Sequence, residues 1–267
     1  MIHLIEAANR RLYAAELAEL HRERRRQFIE GRGWPLRVKD EGEYDAYDDE
    51  TADHLVGFST DGRIEAACRL RPTHRGGLIP DVFPHLVASS EPPPTAAGTW
   101  ECTRYFSTAP GRAGFEARSK LHLAMVEHVR DQGGLRLLGF VDLPYLTHLR
   151  RFSGLRIRPV GLPADYGEGE AGGTTIAFEI GVTAEDLRAT RERLRIPTRQ
   201  LFVAPAWLPE DADVLTLERS ARVLLAAPEA APADARRRLA EQTAALAGEV
   251  VHHPDVATVM AELGAAA

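Results

Sequence analysis

Cysteine is scarce in this sequence, and its two cysteines form no recognisable pattern. Cys68 and Cys102 are the only ones among 267 residues, and neither has a cysteine or histidine neighbour at the spacing of a metal site. Their separation argues against a disulfide framework and against a zinc site. We therefore expect two buried free thiols and no bound metal.

Long apolar runs and an excess of positive charge are also missing. No stretch approaches the roughly 18 apolar residues that cross a bilayer, and Met1–Glu6 becomes charged too early for a signal peptide. The net charge of −6 lacks the basic field with which general nucleic-acid binders meet phosphates. We expect a cytoplasmic protein that binds neither membrane nor nucleic acid, and 44% hydrophobic residues suffice for a substantial core.

An amphipathic helix is predicted near the start of the chain. Between Ala7 and Glu30, leucines recur at helix-like intervals and no proline interrupts them. The residues Gly31-Arg32-Gly33 and Trp34-Pro35 mark its end, because proline restricts the residue before it. An acidic loop follows. Two apolar runs, His54–Ser59 and Arg63–Pro72, then flank a turn signal and predict a β-hairpin.

Strands and helices alternate through about Val182, which predicts an α/β class. The predicted elements are a strand over Thr99–Ser107, a helix over Arg118–Gln132, a strand over Leu135–Val141, a helix over Leu146–Phe152 and a strand over Thr174–Ile180. Residues 1–182 form one predicted domain, and residues 183–267 form a helical C-terminal extension. Its predicted helices are Glu185–Leu194, Leu215–Ala226, Ala233–Leu246 and Val256–Leu263.

Several residues in the first half could form a site, although each has an ordinary structural alternative. Arg24 and Phe28 are four residues apart on one helix face, where they could hold a ligand or could be a solvated arginine above a core ring. Asp45 and Asp48 could receive an ammonium or sulfonium, or could belong to a solvated loop. Glu101 could be a general base or half of a structural ion pair. These alternatives stay open on the residues alone.

Taken together and in order, the site-like residues resemble the signature of the acyl-homoserine-lactone synthases, or autoinducer synthases. The matching residues are Arg24, Phe28, Trp34, Asp45, Asp48, Arg69, Phe83, Glu101 and Arg104. The flanking sequence is also similar to the family in Ala66–Thr73 and Trp100–Arg104. The resemblance extends from about Leu4 to Val182. It implies a fold like the GCN5-related N-acetyltransferases, in which a splayed mixed sheet is flanked by helices.

The resemblance also implies a reaction in two steps. The amine of S-adenosylmethionine attacks an acyl thioester, and the methionine carboxylate then displaces the sulfonium, which closes a lactone and releases methylthioadenosine. S-adenosylmethionine is a substrate here, so no cofactor is expected. The acyl donor could be carried on acyl carrier protein or on coenzyme A, and both stay open. The product is a quorum-sensing signal.

Roles for individual residues follow from the resemblance as expectations. Glu101 is the expected base, directly or through water, and is grouped with Thr103 and Arg104 as catalytic. The S-adenosylmethionine pocket is expected to comprise Arg24, Phe28, Trp34, Asp45, Asp48, Arg69 and Phe83, with the two aspartates facing its positive groups. Leu138 and Phe140 are the expected acyl-pocket residues.

The chain departs from the family pattern in two places. Thr103 stands where the family often has serine, and strict strand alternation would place Glu101 and Thr103 on one face and Arg104 on the other unless a β-bulge intervenes. The strand Leu135–Val141 lacks the threonine common in makers of 3-oxo products, which favours an unsubstituted, branched or aromatic acyl group. The extension could cover the acyl tunnel, form a homodimer surface or stabilise the sheet edge. Two alternatives are another N-acyltransferase of this fold and an inactive S-adenosylmethionine-binding relative.

Overall fold

The computed structural model describes residues 1–166 and 172–219. Its α-helices are α1 (Ala14–Arg24), α2 (Gly111–Asp131), α3 (Leu143–Phe152) and α4 (Ala184–Leu194). A 3₁₀ turn over Arg10–Tyr13 precedes α1, and a π-helical stretch over Arg25–Glu30 continues it, so the predicted N-terminal helix is confirmed. The predicted helices Ala233–Leu246 and Val256–Leu263, and most of Leu215–Ala226, lie outside the described residues.

The strands form one large mixed sheet and one small ribbon. The large sheet has the order β11-β1-β4-β5-β6-β7-β10-β8, and β9 also pairs with β10. The strands are β1 (Ile2–Ile5), β2 (Val38–Lys39), β3 (Gly42–Glu43), β4 (Asp53–Phe58), β5 (Ile64–Pro72), β6 (Thr99–Ser107), β7 (Arg136–Asp142), β8 (Ile157–Pro159), β9 (Ala164–Tyr166), β10 (Gly173–Ile180) and β11 (Leu201–Val203). Strands β2 and β3 make the ribbon.

Helices cover both faces of the large sheet. Neighbouring residues of each strand point to opposite faces, so apolar strand residues pack against helices on each side. On β4, Leu55 joins a core cluster with α2, whereas Val56 joins another with α1 and Phe28. The predicted hairpin is confirmed as β4 and β5, and Gly62 adopts a φ of 81° in its turn. The predicted α/β class, with a splayed mixed sheet flanked by helices, is confirmed.

The splay lies between β6 and β7. These parallel strands pair only from Thr99–Glu101 to Arg136–Leu138, although β6 continues to Ser107 and β7 to Asp142. Past Glu101 the two strands separate, so backbone groups of β6 that face β7 lose their strand partner. The gap is the natural place for a ligand in this sheet.

The segment after residue 183 is not entirely helical, which corrects one prediction. Leu201–Val203 forms β11, which pairs in parallel with β1 at the sheet edge. The buried carboxylate of Glu127 on α2 accepts the backbone N–H groups of Gln200 and Leu201 at 2.9 and 3.0 Å, and Arg191 at 2.9 Å. A run of three strand residues in a loop-like context carries too little periodicity to be predicted.

Both cysteines are free thiols, as their separation in the sequence predicts. Cys68 is buried, whereas Cys102 is half-buried. No helix within residues 1–166 and 172–219 has the length and apolar character needed to cross a membrane.

Candidate active site

Arg24 lies at the centre of a buried ion-pair network. Its guanidinium donates to Glu43 through Nε at 2.7 Å, and to both oxygens of Asp48 at 2.6 and 2.9 Å. Arg24 and Glu43 are almost completely buried, with side-chain exposures of 1% and 0%. The last turn of α1 supplies the arginine, and the ribbon strand β3 supplies Glu43, so this contact fastens the ribbon to the helix.

Arg69 and Arg104 complete the network. Arg69, fully buried on β5, donates to both oxygens of Asp45 at 2.6 and 2.9 Å, to Asp48 at 2.8 Å and to the Thr103 hydroxyl at 3.1 Å. Arg104 donates to Glu43 and contacts Asp45 at 2.8 Å. Three guanidinium groups therefore face three carboxylates, which balances the charge of a cluster that would otherwise be costly to bury.

Asp48 and Arg69 keep their charges at neutral pH. Burial alone would raise the pKa of Asp48, but hydrogen bonding to Arg24 and the charges of Arg24 and Arg69 outweigh it and hold that pKa well below its usual range. Burial would likewise lower the pKa of Arg69, but Asp45 and Asp48 raise it overall. Arginine thus already occupies the carboxylates of Asp45 and Asp48, which sequence analysis had assigned to the positive groups of a substrate.

Glu43 was missed by sequence analysis, although a signal for it exists. It lies two residues before Asp45 in an extended segment, so the two carboxylates share a side of the chain. Each of the three signature arginines needs a partner once it is buried. Matching arginines to acids in this segment would have pointed to Glu43.

A β-bulge brings Arg104 to the same side of β6 as the network. Ala67 pairs with Phe106 and Arg69 with Thr103, so Arg104 and Tyr105 together oppose the single residue Cys68. Arg104 adopts a left-handed φ of 52°, which is unusual for a residue with a side chain. The bulge that the spacing of Glu101, Thr103 and Arg104 required is confirmed.

Glu101 supports a turn next to the network. Its buried carboxylate accepts the backbone N–H groups of Leu78 and Ile79, both at 2.9 Å. A Cβ at Gly77 would lie 2.5 Å from the carboxylate carbon, so only glycine allows this close approach. Burial raises the pKa of Glu101, and the two N–H groups partly offset that effect.

A cavity of about 660 Å³ passes through the gap between β6 and β7. Among the sequence-predicted site residues, those that line it are Phe28, Trp34, Phe83, Thr103, Arg104 and Phe140. Those that do not are Arg24, Asp45, Asp48, Arg69, Glu101 and Leu138. The sequence-predicted residues that line the cavity are therefore aromatic rings, one hydroxyl and the Arg104 side chain, with the rest of the ionic network behind them.

Aromatic rings form the wall on the α1 side of the sheet. Phe28 and Trp34 are stacked, with ring centroids 5.5 Å apart and planes 11° apart. The guanidinium of Arg104 lies 5.8 Å from the Phe28 centroid, and that of Arg32 lies 5.3 Å from the Trp34 centroid. Flat rings bordered by guanidinium groups suit a planar ligand that carries an anionic group.

The two residues predicted for the acyl pocket have different positions. Phe140 lines the cavity and packs against Phe83, with ring centroids 5.4 Å apart. Leu138, two residues earlier on β7, is fully buried in a core cluster with Ile79 and Leu86. The prediction for Leu138 is corrected, because β6 and β7 still pair at this residue and have not yet separated.

On the α2 side, the cavity contains a polar pair that sequence analysis did not identify. The Tyr105 hydroxyl lies 2.9 Å from His122 Nε2, and His122 Nδ1 lies 3.0 Å from the carbonyl of Ser153. A carbonyl only accepts, so Nδ1 donates to it; burial lowers the pKa of His122 to about 4 and keeps the ring neutral. Nε2 then accepts from Tyr105, which lines the cavity and whose phenol oxygen keeps its lone pairs as acceptors.

Among the residues that the structure describes, one cluster has the residue types of a metal site. His21, Asp48 and His54 place a ligand atom each within 4.8 Å of one another. However, Asp48 accepts hydrogen bonds from Arg24 and Arg69, whose charges repel a cation. The donor set does not fit a metal ion.

The comparisons with known proteins agree with one another. The family model described as "Autoinducer synthase" matches residues 8–185. An isovaleryl-homoserine lactone synthase from Bradyrhizobium diazoefficiens is 32% identical over 199 residues, which are 74% of this chain and 87% of that protein.

Two solved structures are similar in fold and sequence. The coenzyme A-dependent acyl-homoserine lactone synthase BjaI, solved with S-adenosylmethionine and isopentyl-coenzyme A, has a TM-score of 0.66 and 31% identity, covering 77% of this chain and 93% of BjaI. TofI, solved with an inhibitor and methylthioadenosine, has a TM-score of 0.56 and 32% identity, covering 66% of this chain and 90% of TofI.

Proposed function

The chain belongs to the autoinducer synthase family and is an acyl-homoserine-lactone synthase; we propose that it takes its acyl group from an acyl-coenzyme A. The synthase assignment rests on the cavity between β6 and β7, at which the splayed sheet and the aromatic wall meet, and the choice of donor rests on the similarity to BjaI. S-adenosylmethionine is the acceptor, and the product is a diffusible signal for quorum sensing.

The reaction needs positioning more than a strong nucleophile. In the first step the amine nitrogen of S-adenosylmethionine forms a bond to the thioester carbon, the carbon–sulfur bond breaks and the thiol leaves. In the second, a carboxylate oxygen attacks the carbon attached to the sulfonium, which closes the lactone and releases methylthioadenosine. The sulfonium is already a good leaving group, so holding the reacting atoms close supplies most of the second step.

The two substrates are proposed to enter the cavity from opposite faces of the sheet. The stacked rings of Phe28 and Trp34 suit the adenine and sugar of S-adenosylmethionine, with Thr103 and Arg104 beside them. The acyl chain is proposed to lie toward α2, against Phe178 and Met125 as well as Tyr105. Backbone groups of β6 that have no partner on β7 are then available to the pantetheine arm and the thioester oxygen.

The ionic network is proposed to act as a rigid support for this wall. Arg24, Asp45, Asp48 and Arg69 do not line the cavity, and their charged groups are used within the network. They fix Arg104 and Thr103, which do line it. Glu101 is likewise proposed to position the turn that carries Leu78 and Phe83, since both of its oxygens accept backbone N–H groups.

Coenzyme A is favoured over acyl carrier protein by the relatives. BjaI, which covers most of this chain, is described as coenzyme A-dependent and was solved with isopentyl-coenzyme A.

Because S-adenosylmethionine and acyl-coenzyme A occur in the cytoplasm, the enzyme is proposed to act there. S-adenosylmethionine is consumed as a substrate, no cofactor is proposed, and a homodimer is not required, since residues of one chain line the cavity.

The donor is tested by offering one acyl group in two forms. Purified protein is incubated with S-adenosylmethionine and isovaleryl-coenzyme A, or with isovaleryl-acyl carrier protein, and products are identified by mass spectrometry. We expect a higher kcat/KM with the coenzyme A thioester. A higher value with the carrier protein would contradict the proposed donor, and acylation without methylthioadenosine release would identify a different N-acyltransferase.

A further inference from the structure

Asp142 is the only acidic residue that lines the cavity within residues 1–166 and 172–219. It ends β7, past the point at which β6 and β7 separate, so it lies opposite Arg104 and Tyr105 across the gap. The acids singled out by sequence analysis, Asp45, Asp48 and Glu101, lie behind the wall. A positively charged substrate in this cavity therefore meets one carboxylate.

Arg32 lies beside Asp142 at the cavity wall. Its Nη1 is 4.0 Å from the Asp142 Oδ2, and no other carboxylate of the described residues comes within that distance of Arg32. The gap is too long for a hydrogen bond, so each group still has capacity to bind. The two side chains are 47% and 29% exposed, and the guanidinium lies over Phe28 and Trp34.

This arrangement matches the polar end of an α-amino acid, which presents an anionic carboxylate and an amine on one carbon. We propose that Arg32 binds the carboxylate of S-adenosylmethionine and that Asp142 binds its amine and accepts the proton released on acylation. The inference rests on the proposed function and assigns two residues to the reaction. The guanidinium is suited to the carboxylate because its planar donors can bind both oxygens.

One proton moves from nitrogen to sulfur during acylation. The amine attacks the thioester carbon and becomes a positively charged N–H in the tetrahedral intermediate. Asp142 takes that proton as the carbon–sulfur bond breaks and passes it to the departing thiolate, so the products are a neutral amide and a thiol, and Asp142 is again a carboxylate. An oxygen of the carboxylate held by Arg32 then attacks the carbon bonded to the sulfonium sulfur, which closes the ring as that carbon–sulfur bond breaks and methylthioadenosine leaves.

Tyr166 fixes the orientation of Asp142. Its hydroxyl donates to Asp142 Oδ1 at 2.6 Å, which leaves Oδ2 toward Arg32 and the cavity. Burial, together with the neighbouring carboxylate, raises the pKa of Tyr166 to about 12, so the hydroxyl keeps its proton at neutral pH. Tyr166 is a positioning residue, because it acts through Asp142.

The test compares ligands that differ only in the amino-acid end. Calorimetry measures binding of S-adenosylmethionine, its decarboxylated form and methylthioadenosine, which lacks both groups. We expect Arg32→Gln to weaken the binding of S-adenosylmethionine at least tenfold and to leave the affinities for the other two ligands unchanged. Arg32→Lys is expected to recover part of the loss. Arg37→Gln, a substitution at an exposed arginine that does not line the cavity, is the matched control.

Asp142→Asn is expected to weaken the binding of both amine-bearing ligands but not that of methylthioadenosine, and to lower kcat about a hundredfold. An equal loss of affinity for all three ligands, or unchanged S-adenosylmethionine binding in both variants, would overturn this inference but not the proposed function. A wild-type protein that binds neither S-adenosylmethionine nor methylthioadenosine would instead overturn the proposed function as well.

Discussion

Arg104 donates to both oxygens of Glu43, through Nε at 3.1 Å and through Nη2 at 2.9 Å, in a contact that joins the bulge of β6 to the ribbon. Glu43 also accepts from Arg24 on α1. One buried carboxylate therefore connects the helix to a strand that lines the cavity. The shape of the wall depends on a residue that does not touch the proposed substrates.

Glu43→Gln is expected to lower both stability and activity. The substitution removes one charge from a buried cluster of three arginines and three carboxylates, which leaves a net positive charge and an unmatched guanidinium. Loss of one partner from a buried pair costs about 3 kcal/mol. Urea unfolding measures the effect, and Glu50→Gln, at an exposed position, is the control that should change little. Equal stability of the two variants would show that the network is not needed.

Alanine substitutions at the two predicted acyl-pocket residues are expected to have different effects. Leu138→Ala should lower the free energy of unfolding by about 2–5 kcal/mol, since Leu138 is a fully buried core residue. Phe140→Ala should instead raise KM for the acyl donor, because Phe140 lines the cavity. Urea unfolding and steady-state kinetics on both variants distinguish them. A KM effect from Leu138→Ala at unchanged stability would contradict the assignment.

His122 is expected to make the protein less stable in acid. The folded state binds a proton on this ring only near pH 4, whereas the unfolded chain binds it near the ordinary pKa of 6.5. Between those values the unfolded state holds more protons, so stability falls as the pH is lowered from about 7 toward 4. Thermal melting across this range measures the slope. His122→Asn should make it less steep, with the buried His21 and His54 accounting for part of the remaining slope, whereas His74→Asn, at an exposed position, should not change it.

Glu127→Gln tests whether the segment after residue 183 is part of the sheet domain. The amide nitrogen of glutamine cannot accept a hydrogen bond, so either the N–H groups of Gln200 and Leu201, which share Oε2, or the Arg191 guanidinium, which donates to Oε1, loses its acceptor. A loss of about 1–3 kcal/mol is expected. Urea unfolding provides the value, with Glu192→Gln on the exposed face of α4 as control. An unfolding midpoint in urea equal to that of the wild type for Glu127→Gln would mean that this contact does not stabilise β11.

Much of the architecture follows from local patterns in the sequence. The hairpin of β4 and β5 has a turn signal with a glycine at positive φ, and β6 matches the predicted Thr99–Ser107 at both ends. The bulge at Arg104 could also be inferred, because the signature residues of β6 cannot share a face without it. These features depend on neighbours along the chain, where periodicity and turn chemistry decide the structure.

The remaining features depend on contacts between distant segments. Glu43 gains its role from Arg104, 61 residues away, and Asp142 faces the cavity because two strands separate. Both Glu101 and Asp142 are acids next to apolar residues in the sequence, and only the third dimension shows which one is enclosed. Strand β11 likewise exists because β1 offers it an edge.

The most direct test of the central claim is to measure thiol release and methylthioadenosine release in the same reaction. With S-adenosylmethionine and an acyl-coenzyme A, acylation releases free coenzyme A and lactone closure releases methylthioadenosine. A lactone synthase must yield the two in equal amounts over many turnovers, and this is the predicted result. Steady release of coenzyme A without methylthioadenosine would show acyl transfer without ring closure and would contradict the assignment.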